Sequence, residues 1–451
     1  MPDPPYTGKF RGWLRHNPRG IVSLNDKTSI PPSLRLDPRL SGLAKSATLA
    51  INERSRDLLA QGRQVVRLGL GQSPFPVPTV MERALQLNAH QKAYLAVQGL
   101  AELREAVSRY IERTEGLHYS SDQVLIGPGS KELLFHLQMA CDAELLLPSP
   151  SWVSYAPQAR ILGRDMQWLS SPADKPDLDP EVLDRYCRQE PARARLLILN
   201  YPNNPSGSTL DPDHLEAIAR VAREHHVMIL SDEIYSGLHF DNQHVSIARY
   251  YPEGTIISNG ISKWAGAGGW RLGAFVFPET LEPVLRNMIA LASESFTSVS
   301  APVQYAAIHA FNDNPQLREY LQDCRRLVKA LMLWSWETLE SAGARVTRPR
   351  GGFYLMPHME QLREKRDIQN SQALCEYLLE NTGVAALPGT AFGRAPDELS
   401  CRLACVDFDG AAALAAVMEL PAGTEPDEAF LAQYCQPTYD GIQRIAASLG
   451  N

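Results

Sequence analysis

Between residues 123 and 277 the chain repeats one pattern: a short apolar run, a turn, then a stretch of helical period. The runs 123–126, 144–147, 196–200, 227–231, 255–258 and 274–277 are too short for helices, and they lack the polar alternation of a strand with one wet face. Helical spacing fills 130–141, 152–162, 211–225 and 279–293. Apolar strands alternating with helices predict an α/β fold whose mostly parallel sheet is covered on both faces. In such sheets ligands bind beyond the C-terminal ends of the strands, so the loops there are where chemistry is expected.

The flanks differ. Residues 1–39 are rich in proline and arginine and show no helical or strand period. They read as an irregular arm, either disordered or wrapped around a partner subunit. A helix is expected over 41–64, then a short strand from Val65 that ends in a Gly/Pro loop containing Gly71. From residue 302 onward come long helical patterns (302–312, 315–342), a strand at 345–347, the apolar run 351–356, a helix at 371–380 and a strand at 400–405. This predicts a second, smaller α+β domain, with 419–434 as a loop before a last helix.

At 451 residues, with 44% hydrophobic and 21% charged residues, the chain can bury a large core. A net charge of −7 argues against a nucleic-acid partner, which favours a basic patch or tail. Seven scattered cysteines argue against a disulfide framework and for a reducing compartment. No apolar secretion segment opens the chain, and no apolar run reaches the roughly 18 residues of a membrane helix. A cytoplasmic protein without a membrane partner is expected.

The chemistry concentrates in loops after the expected strands. Lys263 lies in the glycine-rich stretch 258–273, with Arg271 eight residues on. A lysine in such surroundings loses its proton cheaply and can form a Schiff base, while arginine offers a planar fork for phosphate. The pair suggests pyridoxal 5′-phosphate, although a lysine in a surface turn reads the same way. Asn204 sits in Asn203-Asn204-Pro205, either a rigidly held amide or an ordinary helix-capping turn. Asp232 and Tyr235 end another strand; the carboxylate either faces a ring nitrogen or caps a helix. Gly129-Ser130-Lys131 opens a helix as an anion site would, and Trp152 either stacks on a flat cofactor or packs in the core. His225 and His226 have no carboxylate or cysteine neighbours at metal spacing, and Cys401 and Cys405 are spaced as core residues, so no metal is expected.

As an ordered set, these motifs resemble the fold-type I, class I/II aminotransferases that depend on pyridoxal 5′-phosphate, from about residue 41 to the C-terminus. The resemblance implies a large domain (76–301) with a seven-stranded type of sheet, a small domain (40–75 with 302–451) and the arm 1–39. It implies that Lys263 is the Schiff-base lysine, Arg271 the phosphate-binding arginine, Asp232 the partner of the pyridine nitrogen and Tyr235 the donor to O3′. Gly129, Ser130 and Lys131 fall on the phosphate turn, and Trp152 on the stacking aromatic. Asn204 matches the asparagine at O3′ and the substrate carboxylate, Arg402 the bidentate carboxylate arginine, and Gly71 a glycine bordering that carboxylate. Tyr94 resembles the tyrosine that reaches the cofactor of a neighbouring subunit, which implies a homodimer with shared sites. One departure stands out: the family writes serine where this chain has Gly260, leaving Ser258, Ser130, Lys131 or water to compensate at the phosphate.

The resemblance implies transfer of an amino group between an L-amino acid and a 2-oxo acid in two half-reactions. Other reactions on the same scaffold remain open from residues alone: C–S β-elimination, cyclisation, or oxidation or hydroxylation of an amino acid. More remote is a non-catalytic, aminotransferase-like sensor. No second cation for a distal carboxylate is evident, and Phe75, Tyr155, Phe296 and aromatics of the arm favour an aromatic or neutral substrate.

Overall fold

Both faces of the apolar strands are occupied, which is why their sequences do not alternate. The structure, a computed structural model, describes residues 37–40, 43, 47–171, 177–421 and 423–450. A seven-stranded sheet holds β1 (Val124–Gly127), β2 (Glu144–Ser149), β3 (Met166–Ser170), β4 (Arg195–Asn200), β5 (Met228–Asp232), β6 (Thr255–Gly260) and β7 (Gly273–Val276) in the order β1-β7-β6-β5-β4-β2-β3. Only β7 runs antiparallel to its neighbours. Helices α1 (Ser130–Ala140), α2 (Tyr155–Leu162), α3 (Pro180–Cys187), α4 (Pro212–Glu224) and α5 (Glu282–Ser293) cover it.

Adjacent residues of β4 divide the core. Leu196 and Ile198 pack with Leu133, Tyr155 and Met288 from α1, α2 and α5. Leu197 and Leu199 pack on the other face with Leu183, Leu215 and Ile218 from α3 and α4. Each buried leucine or isoleucine contributes about 1.5–3 kcal/mol, so neither face tolerates a polar residue.

Further along, α6 (Pro315–Ser341) begins where the Asn314 side chain accepts the Gln316 N–H at 2.9 Å. The strands Leu387–Pro388, Cys401–Ala404 and Tyr354–Leu355 form a three-stranded antiparallel sheet, and Val66–Arg67 pairs in parallel with Val384–Ala385. Residues Gly42–Asn451 form one compact unit. Among the described residues no helix is long and apolar enough to cross a membrane.

Several expected boundaries shift. The helix expected from Trp152 begins at Tyr155, and the loop before it is held by Ser151, whose N–H donates to the Phe392 carbonyl and whose hydroxyl donates to the Pro148 carbonyl. At 345–347 only Arg345 pairs, as an isolated bridge to His358. The loop expected over 419–434 contains a helix, Glu428–Tyr434, started by Asp427 accepting the Phe430 N–H. Strand β3 and helix α3 lie outside the expected elements, although α3 opens on a legible start signal, Asp179-Pro180, with the Asp179 carboxylate accepting the Glu181 N–H at 2.9 Å. The helix expected over 41–64 occupies Ala47–Ala60. Most of the arm 1–39 lies outside the described residues.

Candidate active site

Strand register builds one wall. Asn200, Asp232 and Ser258 stand side by side at the ends of β4, β5 and β6. Asp232, 3% exposed, accepts Tyr155 Oη–H at 2.7 Å on Oδ2 and Ser258 Oγ–H at 3.3 Å on Oδ1. Burial outweighs these donors and raises its carboxyl to about 6. Asn200 donates to the Asp232 carbonyl at 2.8 Å and accepts the Asn204 N–H at 2.8 Å, which fixes the Asn-Pro loop to β5. Inside that loop Asn203 Oδ1 accepts both the N–H and the hydroxyl of Ser206.

Lys263 follows β6. Its half-buried Nζ donates to the Gly71 carbonyl at 2.7 Å and lies 5.6 Å from the Tyr235 ring and 6.0 Å from that of Phe353. Burial, followed by the positive charge of Arg402, lowers the ammonium to about 8, although Asp232 pulls the other way. The lysine is thus poised to lose its proton near neutral pH.

Arg402 comes from the small antiparallel sheet and is 1% exposed. It donates to Asn204 Oδ1 at 3.2 Å and to the Gly69 carbonyl at 2.5 Å, and its guanidinium carbon lies 4.9 Å from the ring centre of Tyr354 and 5.1 Å from that of Phe392. Its Nε is buried without a hydrogen-bond partner, and no carboxylate among the described residues pairs with it. A buried cation lacking a counter-anion is an anion site in waiting. Tyr235 joins the halves: its hydroxyl lies 2.8 Å from that of Tyr354 and receives Asn204 Nδ2 at 3.5 Å. Gly71 is required by this packing, since a Cβ there would fall 2.0 Å from Tyr354 Oη.

The anion turn sits at the N-terminus of α1. Gly129 has φ 88° and ψ 153°, a conformation essentially restricted to glycine, and a Cβ there would lie 2.2 Å from Arg271 Nη2. Arg271 donates to the Gly268 and Pro128 carbonyls, which lays its guanidinium against the turn beside Ser130. The Lys131 ammonium lies 5.0 Å from the Trp152 ring; desolvation and Arg271 lower its affinity for a proton. Tyr94 is 90% exposed.

The structure alters three expectations. Ser258 is committed to Asp232 and so is a poor substitute for the missing phosphate serine. At Gly260 a Cβ would lie 3.0 Å from the Leu272 carbonyl and 3.1 Å from Ile234 Cδ1, so the strand is closely packed there. Of the aromatics expected near the substrate, Tyr155 donates to Asp232, Phe75 packs edge-on against Phe408 at 6.4 Å, and Phe296 stacks on His136 at 5.4 Å, while those of residues 1–36 lie outside the described residues. His225 does have carboxylate neighbours, because α3 brings Asp184 Oδ1 to 2.8 Å of its Nε2 beside Glu224. Arg188 pairs with both acids. Sequence reading assigned no role to Tyr354, Phe392 or the Gly69 carbonyl. The only signal was the glycine-led run 351–356, which reads as a strand and not as a site.

A half-buried lysine and a buried aspartate at the strand ends of the large sheet, with a buried arginine of the small sheet that no described carboxylate pairs, are the arrangement expected of a fold-type I transferase. Residues 63–415 match the family described as Aminotransferase class I and II. The aspartate aminotransferase of Bacillus subtilis (strain 168) is 30% identical over 80% of this chain and 92% of its own length. The aspartate/prephenate aminotransferase of Thermus thermophilus is 32% identical over 79% and 91%. Among solved structures, Thermus thermophilus aspartate aminotransferase with maleate covers 92% of this chain and 99% of its own, with a TM-score of 0.79 at 28% identity. The chain belongs to the class I and II aminotransferase family. It is an aminotransferase, moving an amino group between an L-amino acid and a 2-oxo acid, and the family implies pyridoxal 5′-phosphate as its cofactor.

Proposed function

We propose that this chain binds pyridoxal 5′-phosphate between Trp152 and the end of β5 and uses it to transaminate an acidic L-amino acid, aspartate first. The residues fit the cofactor: Gly129 leaves a cradle that a Cβ would fill, with Ser130, Lys131 and Arg271 as donors to a phosphate. When bound, the cofactor supplies an aldehyde for Schiff-base formation and an electron sink.

The chain's residues divide the remaining work. Asp232, held by Tyr155 and Ser258, faces the ring nitrogen and favours its protonated form. Tyr235 and Asn204 donate toward O3′. Arg402 takes the substrate α-carboxylate bidentately, with Asn204 and Gly71 bordering it. Lys263, uncharged for part of its population near neutrality, removes the proton from the substrate Cα and delivers it to the cofactor's former aldehyde carbon, C4′, and with the 2-oxo acid it moves a proton the opposite way. The buried, uncompensated Arg402 carries the substrate reading, because it needs an anion that no described residue provides.

Aspartate is supported by the names of the relatives, aspartate aminotransferases among them. The exposed Tyr94 suits contact with a second subunit's cofactor, so a cytoplasmic homodimer completes the proposal, with 76–301 as cofactor domain and 40–75 plus 302–451 as small domain. The test is a panel of amino acids with 2-oxoglutarate. Glutamate formed fastest from aspartate supports the assignment; preference for phenylalanine or alanine overturns the substrate, and pyruvate with ammonia in the absence of an acceptor overturns transamination.

A further inference from the structure

Phe392, whose ring centre lies 5.1 Å from the Arg402 guanidinium carbon, is fully buried in the turn Gly389–Phe392. That turn is tied to the large sheet beyond it. The Phe392 carbonyl accepts the Ser151 N–H at 3.0 Å, and the Gly393 carbonyl accepts Ser149 Oγ–H at 2.8 Å. The next residue, Arg394, donates through one nitrogen to the Ser149 carbonyl at 3.1 Å and the Ser171 carbonyl at 2.9 Å, at the ends of β2 and β3. Its other nitrogens grip Glu398 at 2.8–3.0 Å, and His358 Nδ1 lies 3.0 Å from the same carboxylate. The Arg394 side chain is 7% exposed. Burial works to raise the Glu398 carboxyl, but His358 and Arg394 hold it down at about 2, so the pair stays ionised at any working pH.

The segment Ser149–Trp152 leads directly to the stacking tryptophan. Val153, Phe392, Met356 and Leu387 form one apolar cluster with Trp152 packed against it. The two walls of the site, Trp152 on one side and the Phe392–Arg402 pair on the other, therefore meet at Arg394.

We propose that Arg394 is a positioning residue for the transamination: it fixes the 389–394 turn to the ends of β2 and β3 and thereby sets the plane of Arg402. The inference rests on the reading of Arg402 as the α-carboxylate partner. Arg394 touches neither substrate nor cofactor. Its effect on the reaction runs chiefly through Phe392, which lies against Arg402, so it falls on carboxylate binding more than on proton transfer.

The test compares holoenzyme carrying Arg394→Met, Arg394→Lys, Glu398→Gln or Arg402→Ala, measuring KM and kcat for the amino donor and the 2-oxo acceptor. Arg394→Met is expected to raise both KM values about tenfold, with kcat changed far less, as loss of carboxylate orientation requires. Arg394→Lys and Glu398→Gln, which keep part of the bridge, fall between it and wild type. Should Arg394→Met not fold, these two milder variants carry the test through the same KM-against-kcat split. Unchanged KM in the Arg394 and Glu398 variants, with KM raised in Arg402→Ala, overturns the positioning role alone. Unchanged KM in Arg402→Ala overturns the reading of the carboxylate site and this inference with it.

Discussion

Lys263 Nζ donates to the Gly71 carbonyl at 2.7 Å, across 192 positions of sequence. This contact brings the loop after β6 against the Gly/Pro loop near the start of the unit. It also holds the amine next to Tyr235 and Tyr354, whose hydroxyls share a 2.8 Å hydrogen bond. The reacting nitrogen is thus placed by backbone, and its charge is set by burial and by Arg402.

The lowered Lys263 value leads to a kinetic expectation. In the cofactor-free chain its reaction with pyridoxal 5′-phosphate should accelerate with pH and level off above about 8. An ordinary lysine keeps accelerating toward about 10.4. Stopped-flow absorbance reads the profile, and Lys263→Ala should abolish the signal. A midpoint near that of free lysine would contradict the buried setting.

Asp232 makes the cofactor-free chain less stable as pH rises from about 4 to above 6. Its folded-state value is raised from 3.8 to about 6, so between these values the native chain holds a proton that the unfolded chain has lost. Stability therefore falls as pH rises through that window, by about 3 kcal/mol once the carboxylate is fully ionised. Asp232→Asn should raise the Tm of the cofactor-free chain at alkaline pH, and it should weaken cofactor binding by about 10- to 100-fold through loss of a charged hydrogen bond. Calorimetry of both forms reads the two effects; a lower Tm in the cofactor-free variant would refute the sign.

Removal of Arg402 should be indifferent to the substrate side chain. Arg402→Ala is expected to raise KM about 100-fold for every amino acid and 2-oxo acid alike, the value of a bidentate charged pair. Arg402→Lys recovers only part, because an ammonium cannot form the planar fork. Steady-state kinetics across the panel checks this, and a defect confined to one substrate would remove Arg402 from the α-carboxylate.

The anion turn depends on its glycine. Gly129→Ala forces a side chain into a glycine-only conformation, at about 1–3 kcal/mol, and pushes Arg271 away. Cofactor Kd, from absorbance titration, should rise about tenfold or more by the same principle. At Gly269 a Cβ meets nothing within 4 Å, so Gly269→Ala serves as the neutral control. Equal affinity in the two variants would dissociate the turn from the phosphate.

The alternation of apolar strands and helices is legible in the residues alone, and with it the sheet and the strand-end loops that carry Asn204, Asp232 and Lys263. Those features are local: a strand buried on both faces must read Leu-Leu-Ile-Leu as β4 does, and a turn that admits Arg271 must have glycine at 129. What surrounds each charge comes from packing. The helix carrying Tyr155 and the run carrying Tyr354 are legible, but their periods do not show that Tyr155 reaches Asp232, that Tyr354 touches both Tyr235 and Gly71, or that Phe392 lies against Arg402. Burial and neighbouring charge set the values of Lys263 and Asp232, and both depend on residues far apart in the chain that meet only when the sheets and loops have packed.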